Sequence, residues 1–430
     1  MNPLSRLRTL LIVTAALTAS LCFGAKTFYV STTGVDTNAG TIDKPLATLT
    51  QATLLCQPGD TVSVRGGVYK WTKQQTLFGK GTATLPVTIS AYPYEGVTID
   101  GLSMPANTDT VAAAGSHLII KYIQFNNGRK ANLSFWNVND IQVLNCGFGS
   151  AVQSGLLMGS STLFGASGFT IDHCKFYNNC TRNNTLSGAS WQPAIQLYQI
   201  KNATVTNNTV TQNWGEGIGV CATSDTRILN NDVSDNYSVN IYLDNAVRVT
   251  VQNNWIFNVG DPRFFRSGRT ASGINMAIEA VANPIGVSDC NIINNVITNC
   301  YSSIWYSNFG LAGGIQRVRI LNNTCWGKEN AVIRIDADPN HVDNTLQNNV
   351  FYQSAGRFIS MGDASVGFGL GRNCWYGGDP GNFTGAADLF ADPLLTSPGS
   401  TTAATSYVFQ SVSLCPPLPC GADATLVGRK

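Results

Sequence analysis

The chain has 430 residues, of which 43% are hydrophobic and 12% are charged, about half the charged fraction of an average globular protein. This composition excludes a disordered polar chain and a long coiled coil. The 27 basic and 25 acidic residues nearly cancel. No long run of Lys or Arg occurs, which argues against a nucleic-acid partner bound through its phosphates. About forty Asn and 42 Gly, beside only four Glu, are typical of a strand-rich chain with many tight turns.

The N-terminus has the pattern of an export signal. Arg6 and Arg8 precede an apolar run over residues 10–21, and small residues follow that run. A basic start, a short apolar segment and a small-residue cleavage site define a signal peptide, and this run is too short to be a comfortable membrane span. We therefore predict a signal peptide over 1–25, a mature protein secreted to the extracellular space or the periplasm, and no transmembrane segment.

An Asn-rich unit repeats along the chain. Each unit has a short strand, an Asn pair and a second short strand, and the second Asn of each pair falls at Asn208, Asn231, Asn254, Asn295, Asn323 and Asn349. Successive pairs are 23, 23, 41, 28 and 26 residues apart. Extending the repeat assigns the same slot to Cys174, Cys146 and Tyr122 before the first pair, and to Cys374 after the last.

A unit of about 23 residues with three short strands and no helix is typical of one coil of a parallel β-solenoid, whose coils bury a continuous core only when they stack. Asn residues in one slot of consecutive coils can form a ladder in which each amide satisfies buried polar groups. We predict an all-β, single-domain, three-sheet solenoid of about ten coils with an Asn ladder. Insertions at 180–192 and 260–272 lengthen the same turn, a common location for a binding site.

Several segments carry a resemblance to a known family. The mature start at 28–49, the segment Pro58–Tyr69 and the element Ala391–Leu394 are similar to the secreted right-handed parallel β-helix proteins of the pectate-lyase-like superfamily. The resemblance implies a right-handed parallel β-helix over 26–400, a C-terminal cap or tail over 401–430, and a polysaccharide as substrate. It also implies that the strands following the long turns form the floor of the substrate groove.

Those groove strands share an inward Ile, at Ile195, Ile218, Ile241, Ile274, Ile304 and Ile333. The next residue along each strand faces outward. Outward residues and the aromatic residues four positions before the first three Ile are predicted to bind substrate: Trp191, Gln196, Trp214, Tyr237, Tyr242, Asn275, Trp305 and Arg334. Aromatic faces stack on sugar rings while polar groups fix the hydroxyls, although external stacks can also simply stabilise a solenoid.

Carboxylates are sharper candidates because Glu is rare here. Glu216 lies at the entry of one groove strand, Glu279 at the exit of another, and Asp244 on the coil between them. We predict that these three residues act as catalytic acid and base or hold a Ca²⁺ ion together with Asn oxygens. The alternative is that they are solvated turn carboxylates or ion-pair partners of Arg266 and Arg269.

Arginines in the second insertion suggest a reaction. Arg266 and Arg269 suit bidentate contact with a uronate carboxylate, and related lyases use Lys or Arg as the base of β-elimination. No Lys occurs between Lys201 and Lys328, so a Lys base would have to be Lys175, Lys201 or Lys328, none of them on the groove strands. The alternative is an Arg base: Arg266, Arg269 or Arg334. Our first prediction is therefore a polysaccharide lyase that cleaves a uronate-containing glycan by β-elimination.

Two other functions remain open at this point. A glycoside hydrolase needs two carboxyls roughly 5–10 Å apart, which Glu216, Asp244 and Glu279 on adjacent coils can supply. A non-catalytic surface protein that only binds glycan needs no catalytic carboxyls. The sequence does not define the oligomeric state.

Overall fold

The computed structural model describes residues 24–185, 191–311, 313–354, 359–360, 366–407 and 421–429. The predicted signal peptide lies outside the described residues except for its last two positions. Within the described ranges, none of the helices has the length and apolar composition needed to cross a lipid bilayer.

The described residues form one domain in which the chain winds through three parallel sheets, one short strand per sheet in most coils. Sheet 1 consists of Gln75–Leu77, Val111–Ala113, Leu133–Trp136, Leu156–Gly159, Ile195–Tyr198, Ile218–Ser224, Val239–Val247, Ser272–Ala277, Ile304–Ser307 and Ile333–Ile335. Sheet 2 consists of Thr27–Val30, Thr61–Val64, Val87–Ala91, Leu118–Lys121, Ile141–Leu144, Ala166–Asp172, Ile200–Thr206, Arg227–Leu229, Thr250–Gln252, Val287–Ser288, Asn291–Ile293, Ile315–Gln316, Arg319–Leu321, Asn344–Gln347 and Phe368–Gly371. Sheet 3 consists of Gly67–Tyr69, Val97–Asp100, Gln124–Asn126, Gly147–Gly149, Lys175–Tyr177, Thr209–Thr211, Asp232–Ser234, Trp255–Phe257, Val296–Cys300, Thr324–Gly327, Val350–Gln353 and Cys374–Tyr376.

This arrangement is the predicted parallel β-helix. Sheet 3 has twelve strands in the described part of the chain, slightly more than the expected ten or so coils. Sheets 1 and 2 join where the longer strands Ile218–Ser224 and Val239–Val247 run across the corner and pair with both. Both insertions, 180–192 and 260–272, lie between a strand of sheet 3 and the following strand of sheet 1, as predicted.

The Asn pairs form the turn between sheets 2 and 3. The first Asn of each pair adopts a left-handed backbone with φ between 55° and 58°, a conformation that Asn tolerates better than most residues. The second Asn is buried and builds the predicted ladder: Asn208 Nδ2 donates to Asn231 Oδ1 at 3.0 Å, and the chain of bonds continues through the later Asn residues to Asn373. Each buried amide is thereby satisfied, which fixes the stacking of the coils.

Four residues outside the Asn pairs were predicted to take the place of the second Asn in their coils. Cys174 and Cys146 occupy the ladder slot as expected, since the backbone N–H of Cys174 donates to Asn208 Oδ1 at 2.8 Å and that of Cys146 contacts Cys174 Sγ at 3.4 Å. The predictions for Tyr122 and Cys374 are wrong by one residue. Tyr122 holds the left-handed position that precedes the slot, and Asn373 rather than Cys374 ends the ladder.

Helices cover parts of the surface between the coils. The α-helix spans Leu49–Leu55, and 3-10 helices span Gly101–Ser103, Thr181–Asn183, Pro262–Phe264, Ala404–Tyr407 and Ala424–Leu426. Thr48 caps the α-helix by accepting a hydrogen bond from the Gln51 N–H at 3.1 Å. Near the C-terminus, Tyr407 and Val427 pack with Val296 on the outside of sheet 3, so these tail residues cover sheet 3 rather than the groove sheet.

Candidate active site

The six inward Ile residues of sheet 1 stand in register, as the sequence predicted. Ile195 pairs with Ile218, and the pairing continues through each later coil to Ile333. All six side chains are fully buried. The residues that follow them form one line across the outside of sheet 1: Gln196, Gly219, Tyr242, Asn275, Trp305 and Arg334.

A cleft opens above this line between the two insertions. Eight predicted site residues line it together: Trp191, Glu216, Tyr242, Arg266, Arg269, Asn275, Glu279 and Trp305. The cleft continues along sheet 1 over Gln196, Gly219 and Asp244. It is therefore one continuous depression that contains all three predicted carboxylates and two of the predicted arginines.

Glu216 enters the cleft because of the glycines beside it. A Cβ at Gly215 would lie 2.0 Å from the backbone oxygen of Gln192, and a Cβ at Gly217 would lie 2.4 Å from that of Asn240. Only glycine allows the chain to pass this closely between neighbouring coils. The local sequence Gly-Glu-Gly thus seats one carboxyl on the floor of the cleft.

The pKa of Glu216 is raised from 4.5 to about 8, chiefly by burial and then by the negative charge of Glu279. Asp244 raises it further, while a hydrogen bond from the Trp191 side chain and the charge of Arg266 oppose the increase. Glu216 is therefore protonated at neutral pH. A protonated carboxyl in a cleft that also holds ionisable acids is the arrangement expected of a general acid.

Glu279 faces the same cleft and is held by Tyr242. The Tyr242 hydroxyl donates a short hydrogen bond to Glu279 Oε1. Burial, followed by the charges of Glu216 and Glu279, raises the pKa of Tyr242 far above its usual value, so the phenol keeps its proton and acts as the donor. Tyr242, predicted to bind substrate, thus orients a carboxylate.

Asp244 supports the backbone around Glu279. Its carboxylate accepts hydrogen bonds from the Glu279 N–H at 3.0 Å, from Asn245 Nδ2 at 2.7 Å and from Cys221 Sγ at 3.4 Å. Burial raises the pKa of Asp244. Asn245 also donates to the Glu279 carbonyl oxygen at 3.0 Å. Asp244 and Asn245 together therefore fix the backbone of Glu279, just after the strand Ser272–Ala277 ends. Sequence inspection missed Asn245, although its position next to Asp244 was visible.

The arginines of the second insertion lie on a tight hairpin. The N–H of Arg266 donates to the Arg269 carbonyl at 3.1 Å, and the two residues between them, Ser267 and Gly268, have φ of 52° and 77°, as a type I′ turn requires. Arg266 lies over the Trp191 ring with its guanidinium carbon 4.7 Å from the centroid. Its Nη1 donates to Ser238 Oγ at 2.8 Å.

Arg269 lies over a second ring, that of Tyr301, at 4.4 Å. Among the salt bridges of the described residues, none involves Arg266 or Arg269. The alternative that these arginines merely pair with the cleft carboxylates is therefore not supported. Both cations remain directed into the cleft and can contact a ligand there.

Three predicted binding residues occupy other places. Trp214 packs on Phe264 at 4.7 Å and donates its indole N–H to Asn178 Oδ1 at 2.8 Å. Tyr237 is only 3% exposed and packs edge-on against Trp191 at 5.4 Å. Of these three aromatic residues, only Trp191 lines the cleft.

Arg334 is the third displaced residue. It forms a salt bridge with Asp336 at 2.7 Å and stacks on Trp305 at 4.6 Å, which keeps it at the far side of that ring. Gln196 and Asn275 do line the cleft, and each accepts a hydrogen bond from a serine of a neighbouring coil, Gln196 at 3.2 Å and Asn275 at 3.1 Å. Sequence inspection missed Phe309, a 58% exposed ring of the cleft wall.

The three carboxylates fit a calcium ion poorly. The oxygens of Asp244 already accept bonds from Asn245, Cys221 and the Glu279 N–H. In the described ranges, no group of three or more His, Cys, Asp or Glu side chains is placed to hold a metal ion. Calcium dependence stays a prediction, and no step of the mechanism passes through a metal.

Fold and site together define a parallel β-helix protein with a carboxylate-containing cleft on one sheet. More particularly, the chain belongs to the family described as Pel9A-like, right handed beta helix region, which matches residues 28–297. The pectate lyase PEL9 of Emericella nidulans is 32% identical over 127 residues, which are 29% of each chain. The chain thus matches less than a third of that relative's length.

Solved structures show the same fold at low sequence identity. Pectate lyase Pel9A superposes with a TM-score of 0.53 at 18% identity, covering 90% of each chain. PfbA, a surface adhesin of Streptococcus pneumoniae, gives 0.54 at 12% identity and covers 74% of this chain and 83% of its own. A glycoside hydrolase gives 0.52 at 9% identity and covers 81% and 96%. Lyases, adhesins and hydrolases therefore share this architecture, and the reaction must be argued from the cleft.

Proposed function

We propose that this chain is a glycoside hydrolase that cleaves a polysaccharide in the cleft on sheet 1, with Glu216 as the general acid and Glu279 as the second catalytic carboxylate. One observation carries the proposal: two Glu side chains in one cleft have unlike surroundings. Burial raises the pKa of Glu216 to about 8, whereas Glu279 accepts a hydrogen bond from Tyr242. Pairs of carboxyls with opposed environments are typical of acid and base assignments.

Hydrolysis follows from these positions. Glu216 transfers its proton to the glycosidic oxygen as the bond between that oxygen and the anomeric carbon breaks. Glu279 either removes a proton from the water that attacks the anomeric carbon or attacks that carbon itself. After direct attack, a water deprotonated by the now ionised Glu216 displaces Glu279 from the anomeric carbon and releases the sugar. Tyr242 holds Glu279 in place, and Asp244 with Asn245 fixes the backbone that carries it.

The arginines suit substrate binding better than proton abstraction. Arg266 and Arg269 rest on the Trp191 and Tyr301 rings, and an aromatic face stabilises the charged form of a guanidinium. Arg334 is paired with Asp336. Each guanidinium is therefore held by an aromatic ring or a carboxylate in a way that suits binding, and hydrolysis takes precedence over the elimination predicted first.

The lyase remains the second candidate because of the similarity to a pectate lyase. In that case Arg266 or Arg269 acts on a uronate substrate, and the product carries an unsaturated sugar. For either reaction we propose a secreted protein, exported through the segment 1–25, whose partner is a polysaccharide rather than a nucleic acid. If no reaction occurs, glycan binding alone remains.

A panel of neutral and acidic polysaccharides distinguishes the three functions. The purified protein is incubated with each polysaccharide, with and without Ca²⁺, and two products are measured: new reducing ends, and the ultraviolet absorbance of an unsaturated sugar. We expect reducing ends without absorbance, lost in Glu216→Gln and retained in Glu95→Gln. Glu95 is a matched control because it pairs with Arg65 at 2.8 Å, outside the cleft. Absorbance that survives Glu216→Gln contradicts the hydrolase.

A further inference from the structure

Two aromatic rings lie on sheet 1 beyond the end of the cleft. Trp136 ends the strand Leu133–Trp136 and Tyr198 ends Ile195–Tyr198. The parallel register places Trp136 opposite Gly159 and Gly159 opposite Tyr198, and the same line continues through Cys221 to Asp244. The two rings therefore stand on the row of sheet positions that passes through the candidate active site.

The rings are arranged as a platform. Their planes differ by 13° and their centroids are 6.2 Å apart. The indole of Trp136 lies across Gly159, because a Cβ at that position would come within 2.3 Å of its Cζ3 atom. The six-membered ring of the indole thus occupies the space that a side chain at position 159 would fill, while Trp136 remains 41% exposed. Gly159 makes room for this position of the indole.

A purely structural role explains this exposure poorly. Inside the coil, Phe125, Phe148 and Phe176 form a comparable stack at 5.2 and 4.7 Å, and each of these rings is at most 2% exposed. A stack that serves packing gains stability by burial. Trp136 keeps a large apolar surface in solvent instead, so burial does not account for its place beside Tyr198.

The distance to the active site suits a polymer. Tyr198 lies two coils and Trp136 four coils before Asp244, and coils stack roughly 4.8 Å apart. The rings are thus roughly 10 and 19 Å from Asp244 along the sheet. Gln196, which lines the cleft, bridges the gap, since its strand also carries Tyr198.

We propose that Trp136 and Tyr198 form a distal carbohydrate subsite, on which a pyranose ring of the polysaccharide stacks while another part of the same chain lies at the carboxylates. Sugar CH faces bind flat aromatic surfaces, and the site's hydrogen-bonding groups lie to either side: Gln196 with Ser154 on one, Asn137 with Ser160 on the other. The inference rests on the proposed function only in taking a polysaccharide as the ligand.

Binding, rather than turnover, tests this subsite. The affinity of the Glu216→Gln protein for each polysaccharide of the panel is measured by affinity electrophoresis, alone and combined with Trp136→Ala, Tyr198→Ala or Gly159→Ala. Each addition should weaken binding about tenfold. When oligosaccharides compete with the polysaccharide for binding, the loss of affinity caused by each substitution should be larger for longer oligosaccharides. Gly159→Ala retains both rings and only displaces the indole, so it tests the platform without removing an aromatic residue.

Tyr177→Ala is the matched control. Tyr177 is also 41% exposed and also lies over a glycine, Gly149, but it stands on sheet 3. This control should keep full affinity. Unchanged affinity in both Trp136→Ala and Tyr198→Ala, with thermal midpoints retained, overturns the subsite. An equal loss in Tyr177→Ala overturns it as well. Weakened binding in these variants, together with a wild-type protein that hydrolyses none of the polysaccharides, supports the subsite and refutes the hydrolase, so the two failures are distinguishable.

Discussion

Glu216→Gln should stabilise the protein at neutral pH although it removes the general acid. Burial and the charge of Glu279 raise the pKa of Glu216 from 4.5 to about 8, so between these pH values the folded protein keeps a proton that the unfolded chain releases. Because the folded state then binds more protons, its stability falls as the pH rises. Each pH unit in this window costs about 1.4 kcal/mol. At pH 7 an ionisable residue at this position therefore costs roughly 3 kcal/mol relative to the neutral amide.

Thermal midpoints measured between pH 4.5 and 8 test this reasoning. The wild-type and Glu216→Gln midpoints should coincide near pH 4.5 and diverge as the pH rises, with the variant the more stable. Glu95→Gln is the control, because the hydrogen bond from Arg65 lowers the pKa of Glu95. Glu95 stays ionised in folded and unfolded chains above pH 5, so its effect should not change with pH from there to 8. A Glu216→Gln difference that is equally independent of pH refutes the assignment of an acid that stays protonated in the folded protein.

The remaining predictions concern the cleft and the ladder. Hydrolysis should fall as the pH rises through about 8, where Glu216 loses its proton, and Trp191→Phe should move this fall to higher pH because it removes a hydrogen bond that lowers the pKa. A pH–rate profile with the same alkaline limb in both proteins counts against the role of Glu216. Tyr242→Phe removes the donor to the second carboxylate and should lower kcat at least roughly tenfold without lowering the thermal midpoint. Asn254→Ala leaves buried ladder groups unpaired and should cost about 3–6 kcal/mol in urea unfolding, whereas Asn253→Gly, at φ 58°, should cost little.

The coil register was predictable because it follows from side-chain alternation and from buried amides. An inward Ile such as Ile241 must face the core, and a second Asn such as Asn254 must satisfy its neighbours inside it. The one-residue errors at Tyr122 and Cys374 have the same origin. The turn needs a left-handed residue followed by a buried one, and a sequence slot without an Asn pair does not distinguish the two.

The wall of the cleft was less predictable. Trp191, Trp214 and Tyr237 share one offset from their Ile residues, yet their rings have different partners. These residues lie in the turn between sheets 3 and 1, where the insertion 260–272 supplies Phe264 against Trp214. A constant offset in sequence fixes the direction of a side chain only within a regular strand, where the backbone conformation repeats.

The chemistry was predictable in kind but not in assignment. The scarcity of Glu identified Glu216 and Glu279, and both lie in the cleft. Their unlike roles depend on partners that are distant in sequence, since Trp191 and Tyr242 come from other coils. The same limit applies to Arg266, whose stacking on Trp191 makes it a binding cation rather than a base.

The most direct test of the hydrolase is the identity of the first product released from a polysaccharide that the protein cleaves. Mass spectrometry of that product distinguishes the gain of one water from an unsaturated sugar. We predict a hydrated product with a new reducing end, made by the wild-type and by Glu95→Gln but not by Glu216→Gln. An unsaturated product that persists in Glu216→Gln and disappears in Arg266→Ala or Arg269→Ala would contradict the account and establish a lyase.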